Sequence, residues 1–389
     1  MGTIYNAAHC SVNKLWLGVI AFAFVLAVSL TPSRASGDRW NPSDDAVYKS
    51  LAWQMDHMFT RTDIDLAQGE RGRLFAWSWG YLGRAALLMQ EATGEKRFLD
   101  LVRDTSHRLL ENRDDTLGLV DGERGAIVPS WQVKYNFGGK SNEITAAGLI
   151  TLPMCEYALK TGDEKIGREA VKSLNAFIGE RREAHGGYYF WHLSQKIVEP
   201  LNHSHIYGAA LATCSKLSYA PDTFAETAKG IYRYWRHFTR ADGEGLSWAY
   251  MPAPDSPLDQ KSEAIWKMGV TIELPVALVK HGLMADDGIL DLLGKTVTGN
   301  SIVRAGGVPQ FIGEGLLIDI SKGEKFHRRS LAGLMSPVVL LDNPAVTGAF
   351  LKMVRDHPKL YPNGWFGGSK SMMFSYAYLR ANGGFDNTN

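Results

Sequence analysis

The chain has 389 residues, 45% hydrophobic, 21% charged and 11% aromatic, a composition that excludes a disordered, collagen-like or coiled-coil polymer. Its 42 basic and 41 acidic side chains leave a formal charge of +1, so no global field draws it to nucleic acid or an anionic bilayer.

From the amino terminus, Leu15 to Leu30 (LWLGVIAFAFVLAVSL) is an uncharged run preceded by Lys14 and followed by Ser33-Arg34-Ala35. It is short for a membrane span and suits a signal h-region, with small residues where a signal peptidase needs them. Cleavage after Ala35 is expected; an uncleaved anchor is the alternative, because Lys14 alone is a thin positive flank. Residues 1–35 then form a signal peptide and 36–389 one domain. Loss of Lys14 and Arg34 leaves 40 basic and 41 acidic groups. The expected location is periplasmic or secreted, with no nucleic-acid partner and no stable membrane association after signal removal. Cys10 leaves with the signal. Cys155 and Cys214 remain, as two buried thiols or as a single bridge that export would permit. No CxxC or Cys/His spacing suggests zinc.

Further along, helical periodicity alternates with glycine-aromatic interruptions at Thr116–Val120, Gly186–Trp191, Glu244–Tyr250, Ala305–Phe311 and Pro362–Gly368. Their glycines, at 118, 187, 245, 306 and 364, are spaced 69, 58, 61 and 58 residues apart, which marks one supersecondary unit used repeatedly. Helices are predicted over Ala46–Met58, Trp77–Thr93 and Arg97–Glu111. Three pairs follow: Ser141–Leu159 with Asp163–Glu180, Asn202–Leu217 with Asp222–Arg240, and Lys261–Lys280 with Asp286–Val297. Lys370–Asn382 closes the series. Asp163, Asp222 and Asp286 stand where a carboxylate caps a helix. The first helix of each pair is apolar nearly all round and the second carries one apolar stripe. Concentric inner and outer helices satisfy both, giving an all-α fold, an (α/α) toroid of six or seven hairpins with short strand-like loops at its mouth. An open solenoid would use the same units.

Aligning the inner helices on Gly148, Gly208, Gly269 and Gly333 sets Asn142, Asn202, Glu263 and His327 six residues earlier, beside Glu143, His203, Lys261 and Arg328. Such groups would gather around one mouth, though Asn at a helix start is also an ordinary cap and Glu an ordinary first-turn acid. The densest cluster is Asn202-His203-Ser204-His205-Ile206-Tyr207. On a helix His203 and His205 point about 200° apart, so no metal is expected there. In the loops, Trp248 and Tyr250 alternate as on a strand, as do Tyr189 and Trp191.

With its NEITAAG and NHSHIYGAA helix starts, SWAY loop and closing GWFGGSKSMMFSYAYLRANGG segment, the chain resembles (α/α)-toroid polysaccharide lyases of the alginate and glucuronan lyase type. It is similar in layout to glucuronyl C5-epimerase catalytic domains. The resemblance implies β-elimination on an acidic, uronate-containing polysaccharide or oligosaccharide, without a cofactor. Asn142 and His203 would neutralise the uronate carboxylate. Tyr250 would exchange protons, with His205 as the alternative base; no arginine accompanies the SWAY loop to supply the cation that such a tyrosine needs, and Arg304, Arg328 and Arg329 in later repeats are the substitutes. Substrate binding would fall to Trp131, Asn202, Tyr207, Trp248, Trp191, Lys261, Glu263, Arg304 and Trp365. The rivals are a toroid glycoside hydrolase using two of Glu143, Glu263 and Asp255, a uronyl C5-epimerase, and a glycan-binding protein without turnover.

Overall fold

Helices follow one another in pairs whose members meet opposite surroundings. The structure is a computed structural model that describes residues 42–61, 70–134, 139–258, 262–301, 307–309, 317–319, 337–356 and 370–383. The signal-like segment, Lys261, Arg304, His327, Arg328, Arg329 and Trp365 lie outside the described residues. In chain order the helices are α1 (Asp44–Thr60), α2 (Glu70–Thr93), α3 (Lys96–Glu111), the short α4 (Asp114–Leu117), α5 (Ile144–Thr161) and α6 (Glu164–Asn175). Then come α7 (Leu201–Cys214), α8 (Thr223–His237), α9 (Ile265–Lys280), α10 (Ile289–Thr296), α11 (Pro344–Asp356) and α12 (Lys370–Ala381).

The apolar members are inside. Every residue of α7 is buried except His203, and α5 is buried from Ile144 to Ala158 except at Glu156. Their partners bury one stripe: Ile166, Ala170 and Leu174 on α6, and Phe224, Ala228, Ile231 and Trp235 on α8, the i, i+4 recurrence of an amphipathic helix. Inner helices pack in the order α12, α2, α5, α7, α9, and a 3₁₀ turn at Pro337–Leu341 lies against both α9 and α12. The last helix therefore packs on the first inner one, so the ring closes as a toroid rather than continuing as a solenoid.

Small residues let the inner helices approach. A Cβ on Gly148 of α5 would lie 2.7 Å from the Tyr207 backbone of α7, so only glycine fits the crossing. A disulfide joins the same helices lower down, Cys155 to Cys214, with Cα atoms 5.2 Å apart, deciding between the two cysteine readings.

The predicted helix starts were partly right. Asp163 accepts from the Ile166 amide as a cap. Asp222 occupies the cap position of α8 without a side-chain bond, and Asp286 accepts from Gly288 N before α10 begins. Ser141 and Asn142 are on a strand rather than in α5.

The loops carry antiparallel two-stranded ladders: β1 (Gln132–Lys134) with β2 (Lys140–Asn142), β3 (Arg182–Ala184) with β4 (Gly187–Tyr189), and β5 (Trp191–His192) with β6 (Ile197–Val198). β7 (Thr239–Asp242) pairs with β8 (Gly245–Trp248), and β9 (Gly307–Pro309) with β10 (Leu317–Asp319). Most lead into an inner helix, and so aim side chains at its start.

Candidate functional site

Three inner helices begin close together, and each is delivered by a ladder. At α5, the Asp121 carboxylate accepts from the Glu123 and Arg124 amides, from Asn142 N at 2.6 Å and from Asn142 Nδ2 at 3.1 Å. Arg124 adds a bond to the Asn142 carbonyl at 2.9 Å while holding Glu180 with two bonds of 2.6 Å. Burial would raise the Asp121 pKa, but these amide donors and the Arg124 charge bring it below its ordinary value. This clamp fixes the next residue, Glu143. Its carboxylate caps no helix amide; it accepts from the Ser141 hydroxyl and faces His192 Nδ1 at 3.7 Å. Burial first, then the charge of Glu199, pushes the Glu143 carboxyl well up.

At α7, the β5–β6 hairpin presents His192, and the chain turns through Glu199 and Pro200 into the helix. Glu199 and His203 are four residues apart and meet across the first turn, His203 Nδ1 donating to Glu199 Oε1 at 2.8 Å, the i, i+4 geometry of a helix face. Thr145 Oγ1 donates to the same oxygen at 3.3 Å. At α9, the SWAY loop is tied to α7 by Leu201 N donating to the Tyr250 carbonyl at 3.1 Å. Lys267 of α9 donates to the Tyr250 phenol and stands 3.7 Å from its ring centroid. Burial, then the charges of Glu263 and Glu199, raise the phenol above its ordinary pKa, so Tyr250 carries its proton at neutral pH. Glu263 is wholly buried, taking bonds of 2.7 Å from Trp248 Nε1 and Thr271 Oγ1. Burial lifts its carboxyl to about 7.

The arrangement has two layers. Glu143, His192, Glu199 and Glu263 are 4%, 1%, 2% and 0% exposed, whereas His203, Tyr250 and Lys267 are half-buried and reach solvent. Each exposed group is backed by another: imidazole by carboxylate, phenol by ammonium. Such pairs move protons.

Of the residues expected here, the structure brings His203 and Tyr250 to the opening and Glu263 to the wall behind it. Asn142 is fully buried and turned to Asp121, so it positions Glu143 instead of meeting a carboxylate. Asn202 is buried in the first turn of α7. Further expectations are corrected. His205 points into the core, donating to the Thr271 carbonyl at 2.5 Å with its ring edge-on to Trp235, and burial lowers its pKa to about 4. Tyr207 is sealed beneath Phe177 and Phe190, its hydroxyl on the Leu174 carbonyl. Trp131 is sealed likewise, its Nε1 on the Leu109 carbonyl. Trp248 supports Glu263 from within the core. Trp191 is half-buried beneath the Arg182 guanidinium at 5.0 Å, and Asp255 is exposed on its loop. His192, Glu199 and Lys267 were missed; the Glu199–His203 spacing was a signal that could have found one of them.

At the other end of the inner helices a separate cavity of about 270 Å³ opens among Arg84, Glu156, Lys160, Thr213, Lys280 and His281; it contains none of the groups above.

No protein-family model and no curated protein sequence matches the chain. Solved structures do. A family 76 glycoside hydrolase, an α-mannanase from Bacteroides thetaiotaomicron, is similar at 11% identity over 89% of this chain and 98% of its own, with a TM-score of 0.57. Cellobiose 2-epimerase from Bacillus thermoamylovorans is similar at 9% identity over 78% and 87%, with a TM-score of 0.54. An inactive α-1,6-mannanase variant from Salegentibacter, in complex with α-1,6-mannotetrose, is similar at 12% identity over 87% and 98%, with a TM-score of 0.50. At these identities the likeness shows the shared toroid. Among the described residues no helix is long and apolar enough to cross a membrane.

Proposed function

We propose that the protein is a carbohydrate-active enzyme of epimerase type, which removes and returns a proton at a sugar carbon next to a carbonyl or carboxylate. His203, oriented by Glu199, acts as the base. Tyr250, whose surroundings keep it protonated, supplies the proton, and Lys267 steadies the negative charge that forms as it does so. The observation that carries the reading is that two half-buried proton-bearing groups meet the start of α7, His203 in its first turn and Tyr250 in the loop whose carbonyl accepts from Leu201 N, each with a charged partner beside it. The toroid shared with a cellobiose 2-epimerase and with mannanases supports a glycan substrate. Hydrolysis needs two carboxyl groups facing the glycosidic bond; here Glu143, Glu199 and Glu263 are buried and Asp255 lies out on a loop. Elimination on a uronate begins with the same proton abstraction. Of the two residues that were to neutralise the carboxylate, Asn142 is engaged with Asp121, which sets elimination behind epimerisation. We also place the protein outside the cytoplasm, on the strength of its apolar Leu15–Leu30 segment and its disulfide.

The test incubates the folded protein in deuterium oxide with reducing disaccharides and with uronate polymers. Deuterium entering the sugar without chain cleavage is the expected result. Absorbance from an unsaturated product assigns elimination, and new reducing ends with neither signal overturn the proton-abstraction reading.

A further inference from the structure

Behind the exposed pair lies a group of side chains that proton transfer alone does not explain. One ligand-capable atom each from Glu143, His192 and Glu199 lies within 4.8 Å of the other two, and the three residues are 4%, 1% and 2% exposed. They come from three places: the start of α5, strand β5, and the residue preceding the Pro200 cap of α7. Two carboxylates this close, away from water, repel strongly. Among the described residues the ion pairs they make are with imidazoles, Glu143 with His192 at 3.7 Å and Glu199 with His203 at 2.8 Å. Arg124 is engaged by Asp121 and Glu180. The arrangement calls for a positive charge at its centre, and its donor set, two carboxylate oxygens and one imidazole nitrogen, suits divalent first-row metals. The two carboxylates are also held from outside, Glu143 by Ser141 and Glu199 by Thr145 and His203. Such outer partners orient ligands in metal sites.

We propose that Glu143, His192 and Glu199 bind one divalent transition-metal ion of the Mn²⁺, Co²⁺ or Zn²⁺ type. Adjacent ligands at about 2.0–2.2 Å from one ion stand about 3–3.6 Å apart, so Glu143 and His192, 3.7 Å apart, already approach that spacing, and the wider separations, up to 4.8 Å, close by about 1 Å on loading. Glu199 keeps Oε1 for His203 and offers its second oxygen to the ion. Three protein ligands leave coordination positions for water or for sugar hydroxyl groups. The site goes beyond the proton-transfer reading and its test needs no substrate, so either fails without the other.

The chelator-stripped, full-length protein is titrated with Mn²⁺, Co²⁺ and Zn²⁺ by calorimetry and thermal melting. The expected result is one ion per chain, a saturable rise in Tm, and nitrogen coupling from one histidine in the Mn²⁺ resonance spectrum. His192→Gln and Glu143→Gln each lower the affinity at least tenfold while keeping the far-ultraviolet circular dichroism. His185→Ala, which removes half of an exposed pair of stacked imidazoles 3.7 Å apart, leaves binding unchanged. Absence of saturable binding by the folded protein overturns the proposal, as does binding without nitrogen coupling or binding abolished by His185→Ala. Should both buried variants misfold, the wild-type stoichiometry and spectrum decide it.

Discussion

At Tyr250, burial and the charges of Glu263 and Glu199 keep the proton on the phenol, while His203 alone among the residues of α7 keeps part of its surface open. Removing either group removes a proton carrier without emptying the core. Tyr250→Phe and His203→Gln are each expected to lower kcat/KM for deuterium incorporation by about 10²–10⁴-fold with little change in Tm; full activity in either variant would exclude that residue from the chemistry. Glu263 gives a prediction about stability. Burial lifts its carboxyl from 4.5 to about 7, against hydrogen bonds from Thr271 and Trp248 and the charge of Lys267. A carboxyl raised in the folded state contributes fully below its unfolded value, and that contribution is lost as pH rises through the folded one. At 1.36 kcal/mol per pH unit, Glu263 accounts for about 3 kcal/mol lost between pH 4.5 and 8. Denaturant titrations at the two pH values should show Glu263→Gln losing less by about that amount, and an equal loss in both proteins would place the effect elsewhere. His203 and Tyr250 were readable because imidazole and phenol at the start of an apolar helix or in a loop are unusual. His192 and Lys267 were not, because one histidine after an aromatic run and one lysine in a first turn look ordinary until the ring brings them to Glu143 and Tyr250. His205 and Tyr207 misled for different reasons: at about 100° per residue His205 points away from an outward His203 into the core, whereas Tyr207, a turn further on the face of His203, is covered by Phe177 and Phe190.

Between α5 and α7 the contact is backbone against side-chain stem. A methyl group at Gly148 meets Tyr207 N and Cα at 2.7 Å, whereas one at Gly208 meets the end of the Leu274 side chain at 3.0 Å. Backbone cannot step aside as a leucine methyl can. Gly148→Ala is therefore expected to cost about 1–3 kcal/mol and Gly208→Ala clearly less, as measured by urea unfolding; equal costs would mean that the helices are not locked at this crossing. The Cys155–Cys214 bond spans 59 residues of sequence, and closing a loop of that length in the unfolded chain is worth about 4 kcal/mol. Melting with and without reductant should show a corresponding fall in Tm, absent from a Cys155→Ala/Cys214→Ala variant. The helices themselves were legible because an all-apolar helix and a striped one cannot exchange places. Their beginnings were less so. Ser141 and Asn142 have cap-like side chains, yet the Gln132–Asn142 pairing draws them into a ladder, and a sequence-local rule has no access to a partner strand.

For the ring as a whole, closure depends on charges as well as apolar faces. Arg84 of α2 is buried at the far end of the inner barrel, about 20 Å along its helix from the site. It bonds Glu156 of α5 at 3.2 Å and Glu273 of α9 at 2.7 Å, and lies 4.7 Å from the centroid of Phe374 on α12. Four inner helices thus meet at one guanidinium. Burial opposes its charge, but the two carboxylates outweigh that and raise its proton affinity further. Taking away the cation alone strands the buried Glu273 carboxylate and leaves the half-buried Glu156 unpaired beside it, so Arg84→Met is expected to cost about 3–5 kcal/mol. A well-packed apolar replacement of all three leaves no stranded charge, so Arg84→Met/Glu156→Leu/Glu273→Leu should recover most of that loss. Unfolding measurements on the two variants separate a trio that holds the ring together by attraction from one that merely has to stay neutral. If the triple variant remains as weak as the single one, the bonds across α2, α5 and α9 are themselves what closes the toroid; if it recovers, the apolar faces suffice. In either case deuterium incorporation per folded molecule should be unchanged, because the proton-carrying groups sit at the opposite end of the same helices.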